Sequence, residues 1–208
     1  MAVVFLDRQH SGKPGRKSRD RGASADLDGN GTVDTDELEA TLTARYLLSA
    51  EIALVDAGHV VVPLSDGWYS DRHARVNQYS GTFSKAHGPQ CYVAAHLNAG
   101  WKGQPGSAYG CVFYDHRSRR GVVLATAIAR ELRLVAPELS DAKVIQAQPS
   151  GWTRAAFGTI GGVSRPVGIV YEPAFLDCAA HADLLGADGL KALGHALAHG
   201  IDQWAAKV

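Results

Sequence analysis

The sequence predicts one α/β domain: a mainly parallel, twisted sheet with helices on both faces. Three observations predict it. Short apolar runs at Ala2–Asp7, Val60–Leu64, Cys91–Leu97, Gly110–Tyr114 and Val167–Tyr171 have the length of buried strands and lack a solvated face. Amphipathic helical patterns alternate with them, the order that builds βαβ units. A length of 208 residues suits a single domain, large enough to bury about 70% of its unfolded surface.

Taken in order, Ala2–Asp7 opens the sheet as a buried strand. A long irregular loop follows, and loops of such length are usually functional. A helix is expected from about Asp36 to Ala57, with Gly58 just past its end. Val60–Leu64 is the second strand, and Ser70–Tyr79 a helix opened by Ser70 or Asp71. Cys91–Leu97 and Gly110–Tyr114 are strands, and Arg119–Leu134 is an amphipathic helix. Lys143–Ala147 and Thr153–Phe157 read as weaker strands. Val167–Tyr171 is buried, and Leu185–Lys207 contains the last helix.

Composition excludes several classes. Lys+Arg and Asp+Glu both total 21, so no global charge points to nucleic acid. No apolar run approaches 18 residues, so membrane insertion is not expected. From Arg8 to Arg21 six basic residues accompany one acidic residue; this reads as a solvated loop, with an anionic polymer surface as the alternative target. Cys91, Cys111 and Cys178 have no metal-binding spacing and read as buried thiols, which suits a reducing cytoplasm. Ala2–Leu6 is too short for a secretory apolar region.

The stretch Asp26 to Glu39, DLDGNGTVDTDELE, supplies oxygens in a fixed order. Asp26, Asp28, Asn30, Asp34 and Glu37 stand at positions one, three, five, nine and twelve, Thr32 offers its carbonyl at seven, and Gly31 turns the chain at six. This is the EF-hand calcium pattern at every defined position, inserted at 26–37, and it implies Ca²⁺. Val33 takes the apolar eighth place. An acidic turn capping the next helix is the competing reading; it leaves the register of Gly31 and Glu37 unexplained. The Gly-, Pro- and Ser-rich stretch before Asp26 cannot form an entering helix. On the exiting helix Glu37 and Glu39 are expected about 200° apart, at roughly 100° per residue. Glu37 can then close a calcium site while Glu39, half-buried at the edge of the apolar stripe, needs another partner.

In parallel sheets ligands gather beyond the carboxyl ends of the strands. His10, His96 and Glu172 follow the first, third and last strands, and Glu39 opens the helix after the first. Two histidines and a carboxylate at one edge make a His₂Glu zinc site with an open position. Zinc there would activate water and polarise a carbonyl, while Glu172 carries the proton to a leaving nitrogen: the machinery of amide hydrolysis. His195 and His199 are four residues apart but lack a metalloprotease Glu between them and read as structural. His59, His73, His87, His116 and His181 fall in no ligand pattern. G-x-S-x-G and P-loop motifs are absent.

In these residues the chain resembles the zinc-dependent N-acetylmuramoyl-L-alanine amidases of bacterial autolysins and phage endolysins. The D-x-G-H-G-like turn stands as Asp7-Arg8-Gln9-His10-Ser11, and D-x-G-A as Asp20-Arg21-Gly22-Ala23. Glu39 and Gly58 have the family's spacing between a helix-opening Glu and a closing Gly. Arg72-His73-Ala74-Arg75-Val76-Asn77 corresponds loosely to R-x-x-x-A-N. S-x-H-x-N-A appears as Ala94-Ala95-His96-Leu97-Asn98-Ala99. P-A-V-L-V-E-x-G-F-L-S-N runs from Pro166 to Asp177. Gln9, Ser11, Pro173 and Ala174 depart from the pattern. The resemblance implies zinc on His10, Glu39 and His96, Glu172 as the catalytic carboxylate, and Asn98 near substrate. It implies cleavage of peptidoglycan between N-acetylmuramic acid and L-alanine. With no signal peptide and no separate wall-binding domain expected, a monomeric phage endolysin made in the cytoplasm and released through a holin fits better than a host autolysin. The rivals are a zinc peptidase or carboxypeptidase acting on stem peptides, and a non-enzymatic calcium-dependent wall-binding module. Because the calcium loop leads into the helix of Glu39, calcium is expected to position that ligand.

Overall fold

The computed structural model describes residues 1–10, 22–83, 85–100, 106–136, 139 and 141–208. Ser11, Asp20 and Arg21 of the motifs above, with most of the basic stretch, lie outside the described residues. The sheet has six strands: β1 (Val3–Arg8), β2 (Val60–Leu64), β3 (Gln90–Ala95), β4 (Cys111–Asp115), β5 (Lys143–Ala147) and β6 (Val167–Glu172). Their spatial order is β2-β1-β3-β6-β4-β5. All neighbours pair in parallel except β4 with β6, which are antiparallel and place Cys111 beside Glu172 and Tyr114 beside Ile169.

Helices cover both faces because side chains alternate along each strand. Val4, Leu6, Val93, Ala95, Ile169 and Tyr171 form one core with α1 (Glu39–Asp56), α3 (Arg119–Val135) and α6 (Ala187–Ala205). Val3, Phe5, Tyr92, Ala94 and Val170 face the other way, under α2 (Tyr69–Ser80) and α4 (Arg154–Ile160). A short α5 (Ala182–Leu185) precedes α6. α6 lies between α1 and α3 at backbone contact: a Cβ on Gly194 would stand 2.3 Å from the Tyr46 carbonyl, and one on Gly200 2.5 Å from Ile128 Cα. Among the described residues, no helix is long and apolar enough to cross a membrane.

Two expectations are corrected. Residues expected as a strand at Thr153–Phe157 form α4 instead; Thr153 is the N-cap and its carbonyl accepts the first turn from Phe157 N at 3.0 Å. Arg-Ala-Ala are strong helix formers, and a short apolar run does not separate strand from helix. The expected helix from Asp36 is broken: Thr35–Glu37 is a 3₁₀ turn, Leu38 is extended, and α1 starts at Glu39. Leu38 forms an antiparallel bridge with Ser24. Glu37 and Glu39 are therefore separated by a backbone kink rather than by rotation around one helix.

Candidate metal centre

Strand β1 ends at Arg8 and the chain turns at His10, whose φ of +56° is in the left-handed region. A non-glycine residue there is strained by about 1–3 kcal/mol and is held only by its surroundings. A buried polar group holds this turn. Asp7, Gln9, Arg72 and Tyr92 are all at most 1% exposed. Arg72 Nη1 donates to Asp7 Oδ1 at 3.0 Å, and Gln9 Nε2 and the Tyr92 hydroxyl donate to Asp7 Oδ2. Burial pushes the Asp7 carboxyl up, while Arg72 and Tyr92 draw it down.

His96 follows β3, and its N–H donates to the Tyr171 carbonyl of β6 at 3.0 Å. The Tyr46 hydroxyl of α1 donates to the His96 carbonyl at 2.9 Å. Glu39 is 3% exposed and fully tied. Its Oε2 accepts Ala23 N at 2.7 Å, its Oε1 accepts Leu97 N at 3.1 Å, and its own N–H donates to the Ala23 carbonyl at 3.0 Å.

His10 Nε2, His96 Nδ1 and Glu39 Oε1 converge. Their separations are 3.1 Å between the nitrogens, 3.4 Å from His10 to Glu39 and 3.0 Å from His96 to Glu39. Ligands about 2.0–2.2 Å from a tetrahedral zinc stand about 3.3–3.6 Å apart, so the three atoms span one face of such a tetrahedron with little adjustment. The chemistry agrees: two imidazole nitrogens face one carboxylate oxygen, the donor set of a His₂Glu site. Burial opposes ionisation of Glu39, and the imidazoles of His10 and His96 outweigh it, holding the carboxyl at about 2. His96 Nε2 is buried without a partner among the described residues.

A cavity of about 780 Å³ opens beside this triad, lined by His10, His96 and Glu172 and by Tyr69, Trp152 and Arg154 among others. Burial pushes the Glu172 carboxyl up, against the pull of His96. Cys111 Sγ stands 3.8 Å from Glu172 Oε2, and Asn98 Nδ2 3.8 Å from that sulfur. Asn98 thus backs Glu172 through Cys111 and is not on the cavity wall. Trp152 is 75% exposed at the rim. Tyr69, Trp152 and Arg154 were not legible as site residues. Arg154–Thr159 of α4 bring the cavity wall to the metal edge, and this segment overlaps the strand expected at Thr153–Phe157.

Solved structures share this architecture. The chain aligns with the N-acetylmuramoyl-L-alanine amidase AmiC2 of Nostoc punctiforme at TM-score 0.74 and 16% identity, over 99% of this chain and 97% of that one. It aligns with an N-acetylmuramoyl-L-alanine amidase from Clostridium difficile 630 at TM-score 0.73 and 15% identity, over 99% and 97%. Cwp6 from Clostridium difficile matches at TM-score 0.72 and 18% identity over 97% of this chain, which spans 29% of that protein. The chain shares the fold of these solved structures. No protein-family model and no curated protein sequence matches the chain.

The acidic loop precedes Glu39 in the chain. Carboxylate oxygens of Asp26, Asp28 and Glu37 come within 4.8 Å of one another. Asp26 accepts the N–H groups of Gly29, Asn30 and Gly31. Glu37 accepts those of Leu27, Asp28 and Asp34. Asn30 Oδ1 accepts Thr32 N at 2.8 Å, and Asp34 caps the 3₁₀ turn. Val33 is 48% exposed and lies in no strand. The remaining histidines have structural partners: His59 accepts Ala2 N, His73 meets the Thr159 carbonyl, His87 packs edge-on against Phe83, His116 meets the Ala147 carbonyl, and His181 accepts Phe175 N. His195 and His199 stack on α6 with ring centroids 6.2 Å apart.

Proposed function

We propose that the chain is a peptidoglycan hydrolase that cleaves the amide between the lactyl group of N-acetylmuramic acid and L-alanine. The observation that carries this reading is the convergence of His10, Glu39 and His96, with both histidines lining one cavity together with Glu172, on a fold shared with solved amidases. His10, Glu39 and His96 would hold zinc, which when bound supplies an activated water and a Lewis acid for the carbonyl.

The chain's own residues do the rest. Asp7, Gln9 and Arg72 hold the strained turn that presents His10. Ala23 and Leu97 fix the Glu39 carboxylate by two backbone hydrogen bonds. Glu172, raised by burial and close to the triad, takes a proton from water and gives one to the departing L-alanine nitrogen, a role worth about 10²–10⁴ in rate. Trp152 offers an aromatic face for a sugar ring or peptide at the rim, and Arg154 a cation for a stem carboxylate.

We also propose that Asp26, Asp28 and Glu37, with Asn30, Thr32 and Asp34, take up Ca²⁺; the oxygen-only donor set and its register support this. The loop reaches the metal centre in two steps: Leu38 pairs with Ser24, and Ala23 holds both ends of Glu39. Ordering residues 23–38 therefore fixes the carboxylate ligand. The three cysteines are buried and free, which supports folding in a reducing compartment.

Turbidity loss of purified cell walls, with metal-stripped protein given zinc, calcium or both, tests this reading. Activity restored by zinc and enhanced by calcium is expected. Full inactivity under every condition would favour a wall-binding module instead.

A further inference from the structure

The sheet edge opposite the metal centre carries a second cavity, of about 640 Å³, lined by Asp115, Arg117, Ser118, Arg119, Arg120 and Arg165 with residues 160–168 as its floor. The antiparallel run of β4 brings Asp115 to the start of β6, whose far end is Glu172. Along β6 the two sites stand about 17 Å apart, at roughly 3.3–3.4 Å per residue.

The charge around this cavity is not balanced. Arg117 is matched: its Nε donates to Asp115 Oδ1 at 2.9 Å. Arg119, Arg120 and Arg165 are exposed, and their side chains enter no hydrogen bond or ion pair among the described residues. Four arginines less one aspartate leave three positive charges around one cavity. Folding does not account for them. Arg119 and Arg120 occupy the first two positions of α3, whose first turn has no acidic residue, where the helix dipole disfavours cations. Every cation on the wall is arginine and none is lysine. The planar guanidinium matches phosphate oxygens two at a time, which a lysine point charge does not. A phosphate ion fills a few water volumes of about 30 Å³ each, so the cavity takes a run of linked groups.

We propose that this cavity binds successive phosphate groups of an anionic phosphodiester polymer. Bound there, the polymer tethers the chain by one edge and leaves the metal centre free at the other. The link to a wall substrate rests on the amidase reading, but binding does not, and the test below measures no hydrolysis, so the two can fail separately.

Calorimetric titration of the full chain decides the matter, with poly(glycerol phosphate), inorganic phosphate and polyglutamate of matched charge as ligands at two salt concentrations. Poly(glycerol phosphate) is expected to bind, more weakly at high salt, and polyglutamate at least tenfold more weakly. The triple variant R119Q/R120Q/R165Q is expected to lose at least tenfold in affinity with its Tm not lowered. Arg165→Glu, which leaves the sequence of α3 intact, provides the same readout should the triple variant not fold. Inorganic phosphate binding as tightly as the polymer would keep the phosphate site and name the free ion as its ligand. Equal binding by wild type and variants, equal binding of polyglutamate, or no binding would overturn the proposal.

Discussion

Gly22→Ala is the sharpest probe of the metal centre that leaves every ligand in place. Gly22 has φ +74°, and a Cβ built on it would stand 2.3 Å from Glu39 Oε2 and 2.8 Å from Glu39 Cδ. Ordinary contact begins near 3.4 Å, so the carboxylate must move by about 1 Å, as a rigid neighbour at such overlap allows nothing less. That displacement breaks the 2.7 Å bond from Ala23 N, worth about 1.5–3 kcal/mol because the acceptor is charged. The left-handed backbone adds about 1–2 kcal/mol. The sum, about 2.5–5 kcal/mol, lowers Tm by about 5–20 °C for a domain of this size. Gly58→Ala is the control: φ is +80° with nothing within 4 Å of its Cβ, so it carries the backbone strain alone, about 2–8 °C in Tm. Zinc titration of both variants separates the effects. Gly22→Ala is expected to bind zinc at least about 100-fold more weakly, at or beyond the range for losing a supporting contact, and Gly58→Ala as wild type. Equal zinc affinity in the two variants would refute the claim that Gly22 exists to seat Glu39.

Further outcomes follow from the same contacts. Glu172→Gln is expected to cut hydrolysis by about 10²–10⁴ with zinc content unchanged. Because burial raises the Glu172 carboxyl in the folded state, its cost to stability is absent below the unfolded value and accumulates as pH rises from there to the folded value. Metal-free Glu172→Gln should therefore match wild type in Tm near pH 4 and exceed it near pH 8; the reverse order would contradict the assignment. Arg72→Met leaves the Asp7 carboxylate buried without its cation and is expected to cost about 3–5 kcal/mol, read as a Tm lower by about 6–20 °C; an unchanged Tm would show that the pair does not hold the turn. Calcium is expected to tighten zinc binding about fivefold or more, and Asp26→Ala with Asp28→Ala to abolish that gain; the same gain in the double variant would end the coupling idea.

Much of the site was legible because strand ends are legible. His10, His96 and Glu172 follow apolar runs that could only be buried strands, and a parallel sheet brings such ends to one edge. Glu39 was found by its place beside the apolar stripe. The expectation of a half-buried side chain was too mild, because the extended Leu38 turns Glu39 inward. That kink depends on the bridge to Ser24, a contact between loop segments with no periodic signal. The reversed β4 was equally hidden: a buried strand reads the same in either direction, and the antiparallel pairing with β6 sets which residues meet Glu172. The wall of the cavity was missed because Thr153–Phe157 is apolar enough for a strand and short enough to leave its period undefined. Asn98, expected near substrate, stands beside Cys111, which in turn meets Glu172.

Hydrolysis of the muramoyl–L-alanine amide at the His10, Glu39 and His96 centre is read from the new amino terminus that the zinc-loaded protein releases from purified peptidoglycan. N-terminal L-alanine is expected in proportion to wall lysis, and none from Glu172→Gln. New amino termini from within the stem peptide, with the lactyl–alanine bond intact, would contradict it and identify a peptidase on the same fold.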